Sequence, residues 1–262
     1  MLVDSHCHLD RLKLDKLDNP HLDQVIADAA QAGVDHMLCI GIDKTNADAV
    51  KAIADQYANV YASVGVHPLD VENMMTAAEL VAAADHKKVV AIGETGLDNY
   101  YSKDSRDIQI QSLEMHLQVA KQLALPTVIH TRDAQVDTIN LLKAHACSQK
   151  AGVLHCFTES WEMAKQALDL GFYISFSGIV TFKNAADLQE VARKVPMDRL
   201  LVETDSPYLT PTPFRGKPNY PRHTREVAEF VADLKHIPFE EFAQQTTDNF
   251  FRLFDKATPV KV

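Results

Sequence analysis

The sequence predicts an α/β fold, specifically a (β/α)8 TIM-like barrel of parallel strands. Short apolar runs alternate with amphipathic stretches along the whole chain, which indicates about eight strand–helix units. The length of 262 residues suits such a barrel. The main rival is a doubly wound open sheet, but the first strand is not followed by the glycine-rich nucleotide loop that this rival usually carries.

The predicted strands are short apolar runs without polar alternation, as expected of parallel strands that are buried on both faces. They span residues 2–5, 36–40, 60–64, 89–92, 127–129, 152–154, 172–175 and 199–202. Predicted helices between them include residues 23–32, 46–57, 105–125, 136–145, 161–170 and 185–194. Residues 222–254 predict two closing helices with a break at 236–238. We therefore expect a single barrel domain over residues 1–262.

Composition excludes several classes of protein. A net charge of −10 argues against non-specific wrapping of nucleic acid by the whole surface, although a local phosphate site stays possible. No apolar run approaches the roughly 20 residues of a membrane helix, so we expect no membrane association. The four cysteines form no C-x-x-C pair, and the first residues lack the features of a signal peptide. We expect a cytoplasmic protein with reduced thiols, and a monomer.

Metal-binding residue types recur at the carboxyl ends of the predicted strands, where barrels place their active sites. His6 and His8 project to the same side because residues i and i+2 of a strand do so. The complete candidate set is His6, His8, Glu94, His130, His155 and Asp205. This exceeds the three protein ligands of one catalytic zinc, so we expect two divalent ions with Glu94 bridging them. Zinc or manganese suits these ligands better than magnesium.

Other residues near the predicted mouth are candidates for substrate binding. His67 lies at the correct end of its strand, where contact with a substrate phosphate and a structural role are about equally supported. Arg132 and Arg215, with Lys217 and Arg222 in the same loop as Arg215, are predicted to contact substrate phosphates. His36 is interpreted as structural, and five further histidines are interpreted as surface or helix-face residues; these are His21, His86, His116, His145 and His236. Cys156 is expected to face away from the metals as a small buried hydrophobic residue.

Several motifs resemble those of the TatD family of metal-dependent deoxyribonucleases. They are Asp4-Ser5-His6-Cys7-His8, Gly65-Val66-His67-Pro68, Gly93-Glu94-Thr95-Gly96-Leu97-Asp98, His130-Thr131-Arg132-Asp133, Val153-Leu154-His155-Cys156-Phe157, Phe176-Ser177-Gly178 and Val202-Glu203-Thr204-Asp205-Ser206-Pro207. The resemblance covers residues 4–254, and the stretch 171–181 places it with a YcfH-like bacterial branch.

The resemblance implies a barrel of the metallo-dependent hydrolase superfamily. It further implies one metal on His6, His8, Glu94 and Asp205, and a second on Glu94, His130 and His155. It also implies hydrolysis of DNA phosphodiester bonds, in some members from the 3′ end. The expected partner is therefore DNA, bound weakly and through its phosphates.

The predicted mechanism is attack by a metal-activated hydroxide, with Asp205 as general base. The alternatives are an amidohydrolase-type enzyme and an aminoacyl-tRNA ester hydrolase using the same two-metal site. A structural metal protein is disfavoured because structural sites are usually closed and rich in cysteine.

Overall fold

The computed structural model describes residues 1–147 and 149–260. Its eight parallel strands lie in the sheet order β1-β2-β3-β4-β5-β6-β7-β8. The strands are β1 Leu2–Cys7, β2 Val34–Cys39, β3 Val60–Val64, β4 Val89–Asp98, β5 Thr127–Arg132, β6 Gly152–Leu154, β7 Tyr173–Phe176 and β8 Leu200–Val202. The last strand returns to the first through a parallel bridge between Cys7 and Ser206. The predicted barrel is confirmed, since every predicted strand is present.

The helices surround the barrel. They are α1 Leu22–Gln31, α2 Ala47–Gln56, α3 Ala77–Ala84, α4 Arg106–Leu123, α5 Gln135–His145, α6 Trp161–Asp169, α7 Ala186–Lys194, α8 Thr224–Lys235 and α9 Phe239–Leu253. The sequence prediction gave no bounds for α3, whose alanine-rich sequence has little polar contrast. Its start is marked by a capping box in which Thr76 and Glu79 each bond the other's backbone N–H. No helix in the described ranges is long and apolar enough to span a membrane.

The barrel interior is closed at the end where the strands begin. Its apolar cluster takes a residue from each strand, such as Val3 of β1 and Leu201 of β8, together with Phe250 and Phe254. The side-chain amide of Asn249 in α9 donates to the carbonyl of Leu200 at the start of β8. Because α9 and the segment after it cover this end, a functional site is expected at the opposite end of the barrel, where the strands end.

Candidate metal centre

The six predicted metal ligands meet at the open end of the barrel. His6 and His8 come from the end of β1, and Asp205 follows β8. Glu94 and His130 lie within β4 and β5, and His155 directly follows β6. All except the fully buried His6 line one cavity of about 730 Å³. Strand order alone brings these distant residues together, because parallel strands end at the same rim.

One half of the centre is built by His6, His8 and Asp205. Oδ1 of Asp205 lies 3.5 Å from Nε2 of His6 and 3.3 Å from Nε2 of His8. The backbone holds this geometry, because the N–H of Asp205 donates to the carbonyl of His6 at 2.9 Å. The N–H of His8 likewise donates to the carbonyl of Ser206 at 2.8 Å. The strand pair that closes the barrel therefore also sets the positions of these three side chains.

Glu94 joins this half to the other. Its Oε2 lies 3.4 Å from Nε2 of His6. Its Oε1 lies 2.8 Å from Nε2 of His155 and 3.2 Å from Nδ1 of His130. Glu94 thus directs one oxygen toward each half of the centre, which is the arrangement expected of a bridging carboxylate.

The donor atoms fit divalent metal ions. Both ring nitrogens of His6 and Nδ1 of His8 are buried without a hydrogen-bond partner in the part of the chain that the structure describes. Buried polar atoms are normally paired, and Nε2 of His6 lies 3.4 Å from Glu94 and 3.5 Å from Asp205, so this nitrogen and the two carboxylates fit a shared divalent cation. The ligand atoms of His6, His8 and Asp205 lie within 4.8 Å of one another, as do those of His67, Glu94 and His130 and those of His6, His155 and Glu203. These three groups, two of which share His6, are candidate metal positions.

Charge is concentrated in this buried site. Burial raises the pKa of Glu94, but the adjacent imidazoles of His155, His67 and His6 outweigh it and bring that pKa well below its usual value. Burial lowers the pKa of His155, but Glu94 and Glu203 outweigh it and raise that pKa well above its ordinary value. These pKa shifts leave Glu94 negatively charged beside a positively charged His155, and a divalent cation would take the place of the imidazole proton.

Two carboxylates that the sequence analysis did not select contact the far ring nitrogens of two predicted ligands, His130 and His155. Oδ2 of Asp98 lies 3.2 Å from Nε2 of His130, on the opposite side of the ring from Glu94. Oε1 of Glu203 lies 3.2 Å from Nδ1 of His155 and accepts the backbone N–H of Cys156 at 2.8 Å. Such partners fix the tautomer and orientation of a metal-binding imidazole. Their only sequence signal is their place in the same motifs as Glu94 and Asp205.

Asp4 of the first motif forms hydrogen bonds with Thr204 of the last motif. Its carboxylate accepts the backbone N–H of Thr204 at 2.9 Å and the hydroxyl of Thr204 at 2.5 Å. Burial raises the pKa of Asp4 to about 7, although these hydrogen bonds lower it. The acidic residue that opens the first motif is therefore a structural link between β1 and the segment after β8.

His67 lies in the cavity, and a second histidine supports its loop. Nε2 of His67 is 3.4 Å from Oε1 of Glu94. The backbone N–H of Val66, the preceding residue, donates to Nε2 of His116 at 3.0 Å. His116 lies on a face of α4, as one of the two interpretations had it, but the surface interpretation is wrong, since the side chain is fully buried beneath this loop. Burial lowers the pKa of His116 to about 4.

The predicted arginines separate into two groups. Arg132 lines the cavity of about 730 Å³ that is lined by the predicted metal ligands other than His6, which we call the metal cavity. Its guanidinium lies 4.1 Å from the ring centroid of Tyr100 and 4.7 Å from that of Tyr101. Arg215 lines a neighbouring cavity instead. Arg222 lies farther away in a third cavity, 3.9 Å from Asp28. Of the three, only Arg132 borders the metal cavity.

Cys156 also departs from its predicted place. It lines the metal cavity, and its Sγ lies 3.1 Å from Oγ of Ser177. The expectation that it faces away from the metals is wrong because the chain turns sharply after β6, with a φ of 42° at Cys156. A left-handed residue does not continue the alternation of a strand.

Comparisons with known proteins find relatives that match nearly the whole chain. The family model described as TatD related DNase matches residues 3–255. The metal-dependent hydrolase YcfH of Escherichia coli K12 is 49% identical over 253 residues, covering 97% of this chain and 95% of that protein. The metal-dependent hydrolase YabD of Bacillus subtilis is 41% identical over 256 residues, covering 97% of this chain and 99% of that protein. The crystal structure of YJJV, a TatD homologue from Escherichia coli K12, matches with a TM-score of 0.90 and 31% identity, covering 97% of this chain and 98% of that one.

Proposed function

The chain belongs to the TatD family of metal-dependent hydrolases, and from this premise we propose that it hydrolyses phosphodiester bonds in DNA. The observation that carries the proposal is the placement of Glu94 between the His6 and His130 halves of one open cavity. Two divalent ions are proposed here, one held by His6, His8, Glu94 and Asp205, the other by Glu94, His130 and His155. Their identity is proposed as zinc, manganese or magnesium.

The chemistry of the site follows from its residues. Bound divalent ions supply a lowered pKa for water and an electrostatic sink for charge on a phosphoryl oxygen. Asp205 is the carboxylate placed to accept the proton of the attacking water, since it is part-exposed at the cavity and pairs with His8. Burial raises the pKa of Asp205, but His8, His6 and His155 outweigh it and lower that pKa, which keeps Asp205 ionised.

The rim of the cavity suits a nucleotide. Arg132 can donate two parallel hydrogen bonds to a phosphate, and Tyr100 and Tyr101 hold its guanidinium in place. Tyr100 and Tyr101 are 58% and 65% exposed, so a base has aromatic surface on which to stack. These contacts favour a nucleic acid over a small amide.

The test is incubation of the purified chain with single-stranded and duplex DNA, labelled at either end, with Mg²⁺, Mn²⁺ or Zn²⁺. We expect metal-dependent cleavage from the 3′ end that chelation stops and that His6→Ala abolishes. His21→Ala, at an exposed histidine outside the site, is the matched control and should cleave normally. Metal-dependent hydrolysis of carboxylic or aminoacyl esters without any cleavage of DNA would overturn the proposal.

The role of Asp205 has its own test. Asp205→Asn keeps an oxygen ligand of similar shape but weakens the proton acceptor. We expect the rate of DNA cleavage to fall by about 10²–10⁴-fold with metal held at saturation. An unchanged rate would remove Asp205 from the role of general base.

A further inference from the structure

A second cavity of about 580 Å³ lies beside the metal cavity, and Leu209 lines both. Four cationic side chains line it, which are Lys13, Lys16, Arg215 and Lys217. Lys13 and Lys16 lie in the loop between β1 and α1, whereas Arg215 and Lys217 lie in the loop after β8. The fold therefore brings basic residues from two distant segments to one cleft, which we call the basic cleft.

Most of this positive charge is not neutralised within the protein. Lys16 pairs with the exposed Asp15 at 3.1 Å. Within residues 1–147 and 149–260, Lys13, Arg215 and Lys217 have no carboxylate oxygen within 4.0 Å. No acidic residue of these described ranges lines the cleft. In a chain with a net charge of −10, this unpaired cluster makes a local positive field next to an acidic centre.

The cleft is also held in shape before any ligand arrives. The guanidinium of Arg215 lies over the ring of Phe182, 3.9 Å from its centroid. The hydroxyl of Thr210 donates to the carbonyl of Lys217 at 2.6 Å, and that of Tyr220 donates to the carbonyl of Lys13 at 2.9 Å. Both basic loops are thus fixed to the rest of the fold, so less side-chain and loop entropy is lost on binding.

We infer that the basic cleft binds phosphates of a single-stranded DNA chain beyond the one being cleaved. This rests on the proposed function, and it makes the enzyme selective for oligonucleotides over substrates with one phosphate. A strand whose scissile phosphate lies at the metal centre continues past Leu209 into the cleft. There the lysines and Arg215 contact its backbone without reading its sequence.

The experiment measures binding of a fluorescein-labelled, phosphorothioate-linked oligothymidylate, which resists hydrolysis, to the metal-loaded full chain. The test variant is Arg215→Ala/Lys217→Ala. Its matched control is Lys121→Ala/Lys143→Ala, which removes the same charge from exposed positions on α4 and α5. Arg215→Lys/Lys217→Arg keeps the charge in the cleft.

We expect the cleft variant to bind on the order of tenfold more weakly at low salt. Its slope of log affinity against log salt should shrink by about 0.7 for each DNA phosphate that the variant no longer neutralises. The control and the charge-conserving variant should bind nearly as the unmodified chain does. Equal binding by the cleft variant, equal weakening by the control, or no binding by the unmodified chain would overturn the inference.

This result is separable from the proposed function. The cleft variant could lose binding while the unmodified chain cleaves no DNA with any metal. That result would refute the nuclease proposal and still support DNA binding by the basic cleft. If the unmodified chain cleaves DNA but the cleft variant binds DNA with unchanged affinity, only the proposed DNA binding by the basic cleft is refuted.

Discussion

Asp98 and His130 form a carboxylate–imidazole pair, with Oδ2 of Asp98 3.2 Å from Nε2 of His130. The other ring nitrogen of His130, Nδ1, lies 3.2 Å from Oε1 of Glu94. Asp98 is itself anchored, because its Oδ1 accepts the backbone N–H groups of Tyr100 and Tyr101 at 2.9 and 2.8 Å. The pair therefore links the orientation of a predicted metal ligand to the loop that carries the exposed tyrosines.

Asp98→Ala should weaken metal binding at the His130 half of the centre. The imidazole loses the acceptor that fixes its tautomer, so we expect affinity to fall by about 10–100-fold. Isothermal titration with Mn²⁺ or Zn²⁺ measures this directly. Asp104→Ala, at an exposed carboxylate of the same loop, is the control. Equal affinities for the two variants would show that Asp98 does not orient the ligand.

Glu203→Gln should separate the charge of Glu203 from its hydrogen bonds. The amide oxygen can still accept the N–H of Cys156, so the fold should persist. The charge that supports His155 is removed, and we expect at least about tenfold weaker metal binding. Glu203→Ala should in addition lower the free energy of unfolding by about 1–3 kcal/mol, because a buried N–H is left unpaired. Unchanged metal affinity in Glu203→Gln would contradict this role.

His116 should make the protein sensitive to mild acid. Its pKa is about 4 in the folded chain, below the ordinary value of 6.5, so the unfolded chain binds a proton first as pH falls. Its contribution to stability is complete above about pH 6.5 and is lost progressively toward pH 4, with a loss of about 2 kcal/mol by pH 5.

His116→Gln removes this titration. Urea unfolding at pH 7 and pH 5 should show a smaller acid-induced loss of stability in His116→Gln than in the unmodified chain. His21→Gln, at an exposed site, should not change the difference. An identical pH dependence in His116→Gln and the unmodified chain would mean that the buried imidazole does not titrate as described.

Gly96→Ala should disrupt the pairing of β4 with β5, the strands that carry Glu94 and His130. A Cβ at Gly96, where φ is +151°, would overlap the carbonyl oxygen of His130 in the neighbouring strand. We expect a loss of at least about 2 kcal/mol in the free energy of unfolding, with weaker metal binding. Gly171→Ala is the control, because Gly171 also has a positive φ of +88° but meets only Ala151 at an ordinary 3.8 Å. Equal effects of the two changes would show that backbone conformation alone matters.

The sequence predicted the barrel, and the residues that meet at its open end, because both leave local signals. Buried parallel strands are short apolar runs, and the ligands are strong metal-binding types at the ends of those runs. The strand ends were less well predicted. β4 continues as far as Asp98 through a polar motif, which hydrophobicity alone assigns to a loop.

The supporting residues could not be predicted in the same way, because their roles depend on contacts between distant segments. Asp98 contacts His130, which lies 32 residues later in the sequence, and Glu203 contacts His155, which lies 48 residues earlier. His116 was misassigned because α4 buries polar residues, including Gln109 and Ser112, against β4 and its loops. A helix with polar residues on its buried face does not show which face is inside.

The central claim is that Glu94 holds both halves of a two-metal centre. Metal content of the purified chain and of Glu94→Gln, measured by inductively coupled plasma mass spectrometry after dialysis against limiting Mn²⁺ or Zn²⁺, tests it most directly. We predict two ions per chain for the unmodified protein and loss of both from Glu94→Gln, while Glu159→Gln, at a carboxylate outside the ligand set, keeps both. Two tightly bound ions in Glu94→Gln would contradict the account.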